Sequence, residues 1–475
     1  MLSRRRRRPP FPFPPGPKGL PFIRNLLDVP SKYHWLAYEN WAREIGSDII
    51  HTELFGTHII VLNSSKVAND LLEKRSSIYS DRYAQIKDRK WVINLFPYCD
   101  KWRNWYKTFH AHFKPTMIHK YHPIEVKAAQ HLLRSLFDTP EDFMQHLRRM
   151  VGRVSLSVAY GIELSPRNDP NMALADAALA GLGVAQTKGR IFNLVPFFMR
   201  LPWWFPGAGF KKDADMWKRK MDLCRDEPYE AVKRALEENK ATSSIAASML
   251  AGLPEKPTPE EILMTKALPS NATAALQSFV LAMVLYPEVQ RRAQEEIDSV
   301  VGHGNLPDFG DEESLPYLKA VLYELLRWSP PAPFGIPHRL IKDDVYEGYF
   351  IPAKSLVFPN IWAIFHDPAT YPEPSKFKPE RFLDTTTPVP LLDVAFGFGR
   401  RLCPGRYFAR NILWVAMASM LATFEFLPVT DAEGRPVPPL QEFTPLLTSG
   451  PMPFKCTIRS RSSRIKETII ATLQG

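Results

Sequence analysis

Cysteine is scarce in this chain: four in 475 residues, at Cys99, Cys224, Cys403 and Cys456. They are widely separated and form no C-x-x-C pair, which argues against a zinc site and against a disulfide framework. A reducing compartment fits that usage. No Gly/Ser-rich linker or low-complexity break divides the sequence beyond its N-terminal lead-in. Length alone suggests about three domains, yet the expectation is a lead-in over residues 1–23 and one large domain over 24–475. No internal repeat is visible, which excludes solenoids and propellers. No run of about 18 apolar residues occurs, so no transmembrane helix is expected in the chain as given, and there is no signal-peptide core. No nucleic-acid reading module is present, so nucleic acid is not an expected partner.

Hydrophobic residues make up 45% of the chain, and the net charge is +11. Arg4 to Arg8 supply five of those charges, leaving +6 elsewhere. A moderately basic body suits an acidic protein partner. After the arginines comes a stiff stretch, Pro9 to Pro17, dominated by proline. Helical periodicity dominates the remainder, with strand-like runs near Ile50–Leu62 and Tyr349–Pro359. The fold class expected is therefore mainly α with a small β part. Helices are predicted over Trp102–His112, over Glu261–Leu285 with an interruption at Pro269, and over Glu288–Val301 with a stop at Gly302. Ser314 is positioned to cap a further helix ending at Trp328. Along that helix Leu318, Val321, Leu322 and Leu325 repeat at i, i+3, i+4, i+7 and predict a core-facing stripe. The segment Leu201–Phe210 holds two tryptophans among prolines, with Lys211, Lys212, Lys218, Arg219 and Lys220 nearby. Tryptophan beside basic residues favours a lipid interface; ordinary loop packing is the alternative.

The densest chemical signal is Phe396-Gly397-Phe398-Gly399-Arg400-Arg401-Leu402-Cys403-Pro404-Gly405. One thiol sits in a glycine-rich turn, ahead of an apolar helix spanning Tyr407 to Phe426. Glycines let backbone N–H groups approach sulfur, and a helix start adds a positive dipole end, so a thiolate is stabilised. Arginines at this spacing suit carboxylates such as haem propionates. A thiolate so held can be the axial ligand of haem iron.

These residues resemble the haem-binding signature of cytochrome P-450 enzymes, F-x-x-G-x-R-x-C-x-G, met at Phe396, Gly399, Arg401, Cys403 and Gly405. The resemblance extends from about Pro14 to Arg459. Glu324 and Arg327 lie three apart on one helix face and are followed by Phe377-Lys378-Pro379-Glu380-Arg381-Phe382. Together they are similar to the family's E-x-x-R and P-E-R-F elements, which implies a buried network of Glu324, Arg327 and Arg381. Pro337-His338-Arg339 resembles the strand that passes the haem edge, which implies that His338 or Arg339 meets a propionate. The segments Asp81–Phe96, Pro333–Ile336 and the Gly450–Pro453 turn are expected at the substrate pocket. The phrasing of Pro337-His338-Arg339 and of Leu281–Glu288 is most similar to fungal members.

Two departures from the family pattern stand out. In place of W-R-x-x-R the chain has Trp102-Arg103-Asn104-Trp105-Tyr106-Lys107, so that Tyr106 replaces an arginine that would meet a propionate. In the long central helix, where the family has an acid–threonine pair that relays protons, the chain offers only Ser270, Asn271 and Thr273. None is an acid with a useful pKa, and these three are the catalytic candidates. Asn271-Ala272-Thr273 also forms a glycosylation sequon, read as accidental in a buried helix.

The resemblance implies a monooxygenase with haem b ligated by Cys403, and with Phe396, Gly397, Gly405, Trp102, Arg401, His338 and Arg339 around the cofactor. It implies electrons from NADPH through an NADPH-cytochrome reductase, and a hydrophobic small-molecule substrate, terpenoid or aromatic, in fungal secondary metabolism. The expected location is the cytoplasmic face of the endoplasmic reticulum membrane, reached peripherally or through a segment missing from a shortened form. The missing acid–alcohol pair leaves open haem-thiolate rearrangement, peroxide-driven chemistry, or a non-catalytic haem binder.

Overall fold

A computed structural model describes residues 10–82, 93–165, 169–177, 202–205, 209, 212, 214–252, 272–383, 391–462 and 467. The longer helices are α1 (His34–Ile45), α2 (Asp100–Phe113), α3 (His122–Asp138), α4 (Phe143–Tyr160), α5 (Ala214–Glu237), α6 (Ala272–Leu285), α7 (Pro287–Val301), α8 (Pro316–Trp328) and α9 (Arg406–Thr423). The strands β1 (Ile49–Leu54), β2 (Thr57–Leu62), β3 (His338–Arg339), β4 (Asp344–Tyr346), β5 (Tyr349–Ile351) and β6 (Leu356–Pro359) make a small β part.

Apolar residues surround α6 on all sides, and that pattern belongs to a helix buried on every face. From Leu276 to Val284 only Gln277 is not buried. The helices α4, α8 and α9 close around it, and α3 packs on α4 and α9 in the same core. Among the described residues no single helix is long and apolar enough to cross a membrane. α6 and α7 could do so only together, and they meet at 104°. Tyr286 and Pro287 make that corner: the proline opens α7 at a position where its missing N–H costs nothing. Gly302, with φ at +88°, closes α7 as expected.

The largest sheet among the described residues is four-stranded, in the order β1-β2-β6-β3, and β4 and β5 pair separately as an antiparallel ribbon. β1 and β2 form a hairpin turned by Phe55-Gly56, both at positive φ. β6 runs parallel to β2, and β3 antiparallel to β6. Trp35 and Tyr38 of α1 pack on Ile50, Leu54, Ile59 and Val61 of the hairpin. The proline-rich lead-in lies against this sheet and the β4–β5 ribbon: Pro15 accepts from His51 N of β1 at 2.8 Å, Phe13 stacks on His51, and Pro12 accepts from Phe350 N of β5 at 2.7 Å.

α8 behaves as its periodicity requires, with Leu318, Val321, Leu322 and Leu325 fully buried. Its cap corrects the sequence expectation. Ser314 lies in a preceding turn of 3₁₀ helix and makes no capping bond. The Glu296 carboxylate of α7 instead accepts from the backbone N of Tyr317 at 2.8 Å and of Leu318 at 2.9 Å. An acid from a neighbouring helix thus satisfies the free N–H groups and complements the dipole.

Candidate active site

The glycine-rich turn ends on Cys403 through constraints visible in its residues. Gly397 and Gly399 take φ values of +98° and +55°, open to glycine at little cost. A methyl group at Gly399 would stand 2.2 Å from the Leu72 carbonyl oxygen, so only glycine lets the two chains approach. The turn closes where Cys403 N donates to Phe396 O at 3.0 Å. Burial pushes the Cys403 thiol above its ordinary value, opposed by the Gly405 N–H and by Arg406. A buried thiol of this kind ionises when a metal ion takes the proton's place.

Cys403 faces a cavity walled by α2, α4, α6, α9 and the segment from Pro331 to His338. Of the expected cofactor residues, Trp102, His338, Phe396, Gly397, Arg401, Cys403 and Gly405 all line it. Arg339 does not. Successive residues of β3 point to opposite faces, and Arg339 turns outward to pair with Asp81 at 3.5 Å. His338 is buried and lies beside the cavity. Its Nδ1 lies 2.8 Å from the Tyr79 carbonyl oxygen, which can only accept, so Nδ1 carries the proton. Burial holds this imidazole well below its usual pKa, and Arg82 and Arg401 push it the same way.

Arg401 is buried with its guanidinium 4.0 Å from the Trp102 ring centroid, a cation–π contact. Nε and one terminal nitrogen donate to the carbonyls of Ser80 and Phe96, both at 2.7 Å. Burial lowers its pKa to about 10. Arg82 also lines the cavity and donates to the Ile336 carbonyl. Burial lowers its pKa far more strongly, and Arg401 adds to that. Arg401 Nη1 and Arg82 Nε are buried and find no hydrogen-bond partner among the described residues. Two guanidiniums side by side with spare donors call for an anion. A flat cofactor bearing two carboxylates, seated over a cysteine, meets that demand, so the residues present fit haem. Arg82 escaped the sequence reading because a lone arginine inside the Asp81–Phe96 segment carries no pattern.

Tyr106 also lines the cavity, and its hydroxyl donates to the Leu402 carbonyl at 2.8 Å. Burial raises its pKa, so the phenol stays protonated. Arg400 points away, donating to the Tyr98 hydroxyl. From α6 the cavity receives Ala272 and Ala275, while Thr273 is not among the lining residues. Ser270 and Asn271 lie outside the described residues. The Gly450–Pro453 turn does not line the cavity, which corrects that expectation. A side chain at Gly450 would press on Ala274 of α6.

The network around Glu324 is as its spacing implies. Glu324 and Arg327 are fully buried and paired through two bonds of 2.7 and 2.8 Å. Arg381 Nε reaches Glu324 at 3.2 Å. Arg327 also donates to the carbonyls of Phe365, Pro374 and Lys376. Lys378 N caps the remaining demand of Glu324 at 2.7 Å. Every donor therefore has a use, and the loop from Phe365 to Lys378 is tied to α8.

The sequence matches the cytochrome P-450 family over residues 14–457. It is 40% identical over 470 residues to the cytochrome P-450 monooxygenase eriA of Hericium erinaceus, covering 94% of this chain and 89% of that one. It is 37% identical over 479 residues to the tryptamine 4-monooxygenase of Psilocybe cyanescens, covering 96% and 94%. A solved zebrafish cytochrome P-450 with abiraterone superposes with a TM-score of 0.70 at 21% identity, over 90% of this chain and 100% of that one. At that identity the likeness speaks for the fold.

Proposed function

The chain belongs to the cytochrome P-450 family and is a monooxygenase of it, and from that premise we propose that Cys403 ligates haem b in an enzyme that inserts oxygen into a hydrophobic small molecule. The observation that carries this is the buried Cys403 thiol on a cavity that also holds two guanidiniums with unused donors. Haem, when bound, supplies dioxygen activation and oxygen insertion. The chain's own residues hold and shield it. Arg82, Arg401 and the His338 ring would receive the propionates, and Trp102 packs beneath Arg401. Gly405 N–H and Arg406 favour the thiolate over the thiol. Phe109, Val158, Ala275, Ala332 and Ile336 give the cavity apolar walls, which suit a terpenoid or aromatic substrate oriented by shape.

Fungal secondary metabolism is the context we propose, supported by the fungal relatives. Electrons would come from NADPH through a reductase that the basic body attracts. Residence at the cytoplasmic face of the endoplasmic reticulum membrane is supported by Trp203 and Trp204, which are 55% and 69% exposed beside Lys212. Ser270, Asn271 and Thr273 would serve proton delivery, and replacing them should then lower turnover.

The deciding measurement is the absorption spectrum of the reduced, carbon monoxide-bound holoprotein beside Cys403→Ala. A thiolate-type Soret band in the wild type, lost in the variant, is expected. A haem signal indifferent to Cys403, or none, refutes the assignment. Ala272 and Ala275, rather than an acid and an alcohol, face the cavity from the described part of α6, and this favours a second reading, peroxide-driven chemistry. Turnover with hydroperoxide but not with NADPH and reductase would select it.

A further inference from the structure

The peptide unit between Leu402 and Cys403 is held at both of its polar ends. Its N–H, on Cys403, donates to the Phe396 carbonyl at 3.0 Å. Its carbonyl, on Leu402, accepts the Tyr106 hydroxyl at 2.8 Å. The first bond is internal to the glycine-rich turn. The second comes from α2, some three hundred residues earlier in sequence, and ties the turn to the helix core.

We propose that Tyr106 is a positioning residue for the haem ligand: by pinning the peptide plane that precedes Cys403, it fixes the direction in which Sγ is presented. The proposal rests on the haem-thiolate reading above. Rotation of that plane about its flanking bonds swings the Cys403 side chain, so a restraint on its carbonyl is a restraint on Sγ. The ring is itself fixed, with its centroid 4.9 Å from Trp102 and 6.2 Å from His110. Trp102 in turn lies beneath Arg401, so ligand and propionate sides share one stack of side chains. An arginine at this position would bring a third guanidinium toward Arg82 and Arg401, which already lie buried on the same cavity. Tyrosine supplies the donor without the charge. The departure from W-R-x-x-R is thus a change of role, from propionate partner to clamp on the ligand turn.

The test uses haem-loaded wild type, Tyr106→Phe and Tyr106→Arg. Phenylalanine keeps the ring against Trp102, so folding is preserved and only the hydroxyl is lost. Two quantities are read: the division of the reduced, carbon monoxide-bound spectrum between thiolate-ligated and non-thiolate forms, and the rate of haem transfer to excess apomyoglobin. Loss of one neutral hydrogen bond shifts the first equilibrium roughly fivefold toward the non-thiolate form. The transfer rate stays within about twofold of wild type, because no propionate contact is touched, and Tyr106→Arg does not restore the thiolate form. An unchanged spectrum in Tyr106→Phe overturns the proposal. So does faster haem transfer that Tyr106→Arg reverses, since Tyr106 would then be serving the propionates. A wild type without a thiolate band removes the haem-thiolate reading itself, which is a different failure and visible before any variant is made.

Discussion

Glu125 gives the sharpest quantitative prediction. It lies in α3, fully buried, facing α9. Neither carboxyl oxygen has a partner within hydrogen-bonding geometry among the described residues, and Asn411 stands only near enough to temper the effect of burial. Burial therefore pushes its pKa up to about 9. In the unfolded chain a glutamate titrates near 4.3. Between those values the folded protein holds a proton that the unfolded chain has released. The contribution of Glu125 to stability is thus most favourable below about pH 4.3 and declines as pH rises toward 9, by about 1.4 kcal/mol per pH unit. From pH 6 to pH 8 the loss is about 3 kcal/mol, and for a chain of this length that is about 3 °C in Tm. Glu125→Gln keeps the shape and removes the titration. The experiment is differential scanning fluorimetry of both holoproteins at pH 6 and pH 8 in matched salt. The Tm of the variant relative to wild type is expected to rise by about 3 °C across that interval. His122, bonded to Asn411 at 3.1 Å, and Tyr121, also held protonated by burial, are present in both proteins and cancel in the difference. Parallel Tm values at the two pH values would mean that Glu125 is ionised or solvated in the folded protein, and the reasoning from burial would fall.

Two further outcomes follow from the packing. Arg327→Ala leaves Glu324 fully buried with Arg381 alone and strips donors from three carbonyls; a loss of about 3–5 kcal/mol is expected, seen as a collapse in soluble yield and in denaturant midpoint, and near-wild-type stability would refute the network's role. Gly399→Ala meets both a positive φ and the Leu72 carbonyl, whereas Gly434→Ala meets a positive φ with open space around it. Gly399→Ala should therefore lose haem retention and about 1–3 kcal/mol more than Gly434→Ala, and equal melting points for the two variants would refute the close approach.

The parts of this protein that are legible in its sequence are those fixed by local chemistry. The ligand turn is readable because glycine, arginine and cysteine have few other reasons to stand at those spacings. The stripe on α8 is readable because one face is apolar and the other is not. α6 is different: with apolar residues all round, nothing in its composition tells which side faces the cavity, so the turning of Ala272 and Ala275 toward it and of Thr273 away could not be foreseen. The same holds for β3. Two residues alternate, but only the sheet decides which points inward, and it selects His338 over Arg339. Arg82 and the Glu296 cap of α8 depend on partners far along the chain and leave no local signature.

The lead-in has a consequence for how this molecule meets others of its kind. β1 is an outer strand of its sheet, and an outer strand presents free N–H and C=O groups that invite another chain to pair. Pro15 takes up the outward N–H of His51, and Gly16 presses so close to the same residue that a side chain there would overlap its carbonyl. Proline accepts hydrogen bonds but has none to give. The segment that covers the strand is therefore a poor template for the next one, and the sheet ends where it should instead of growing into a neighbour.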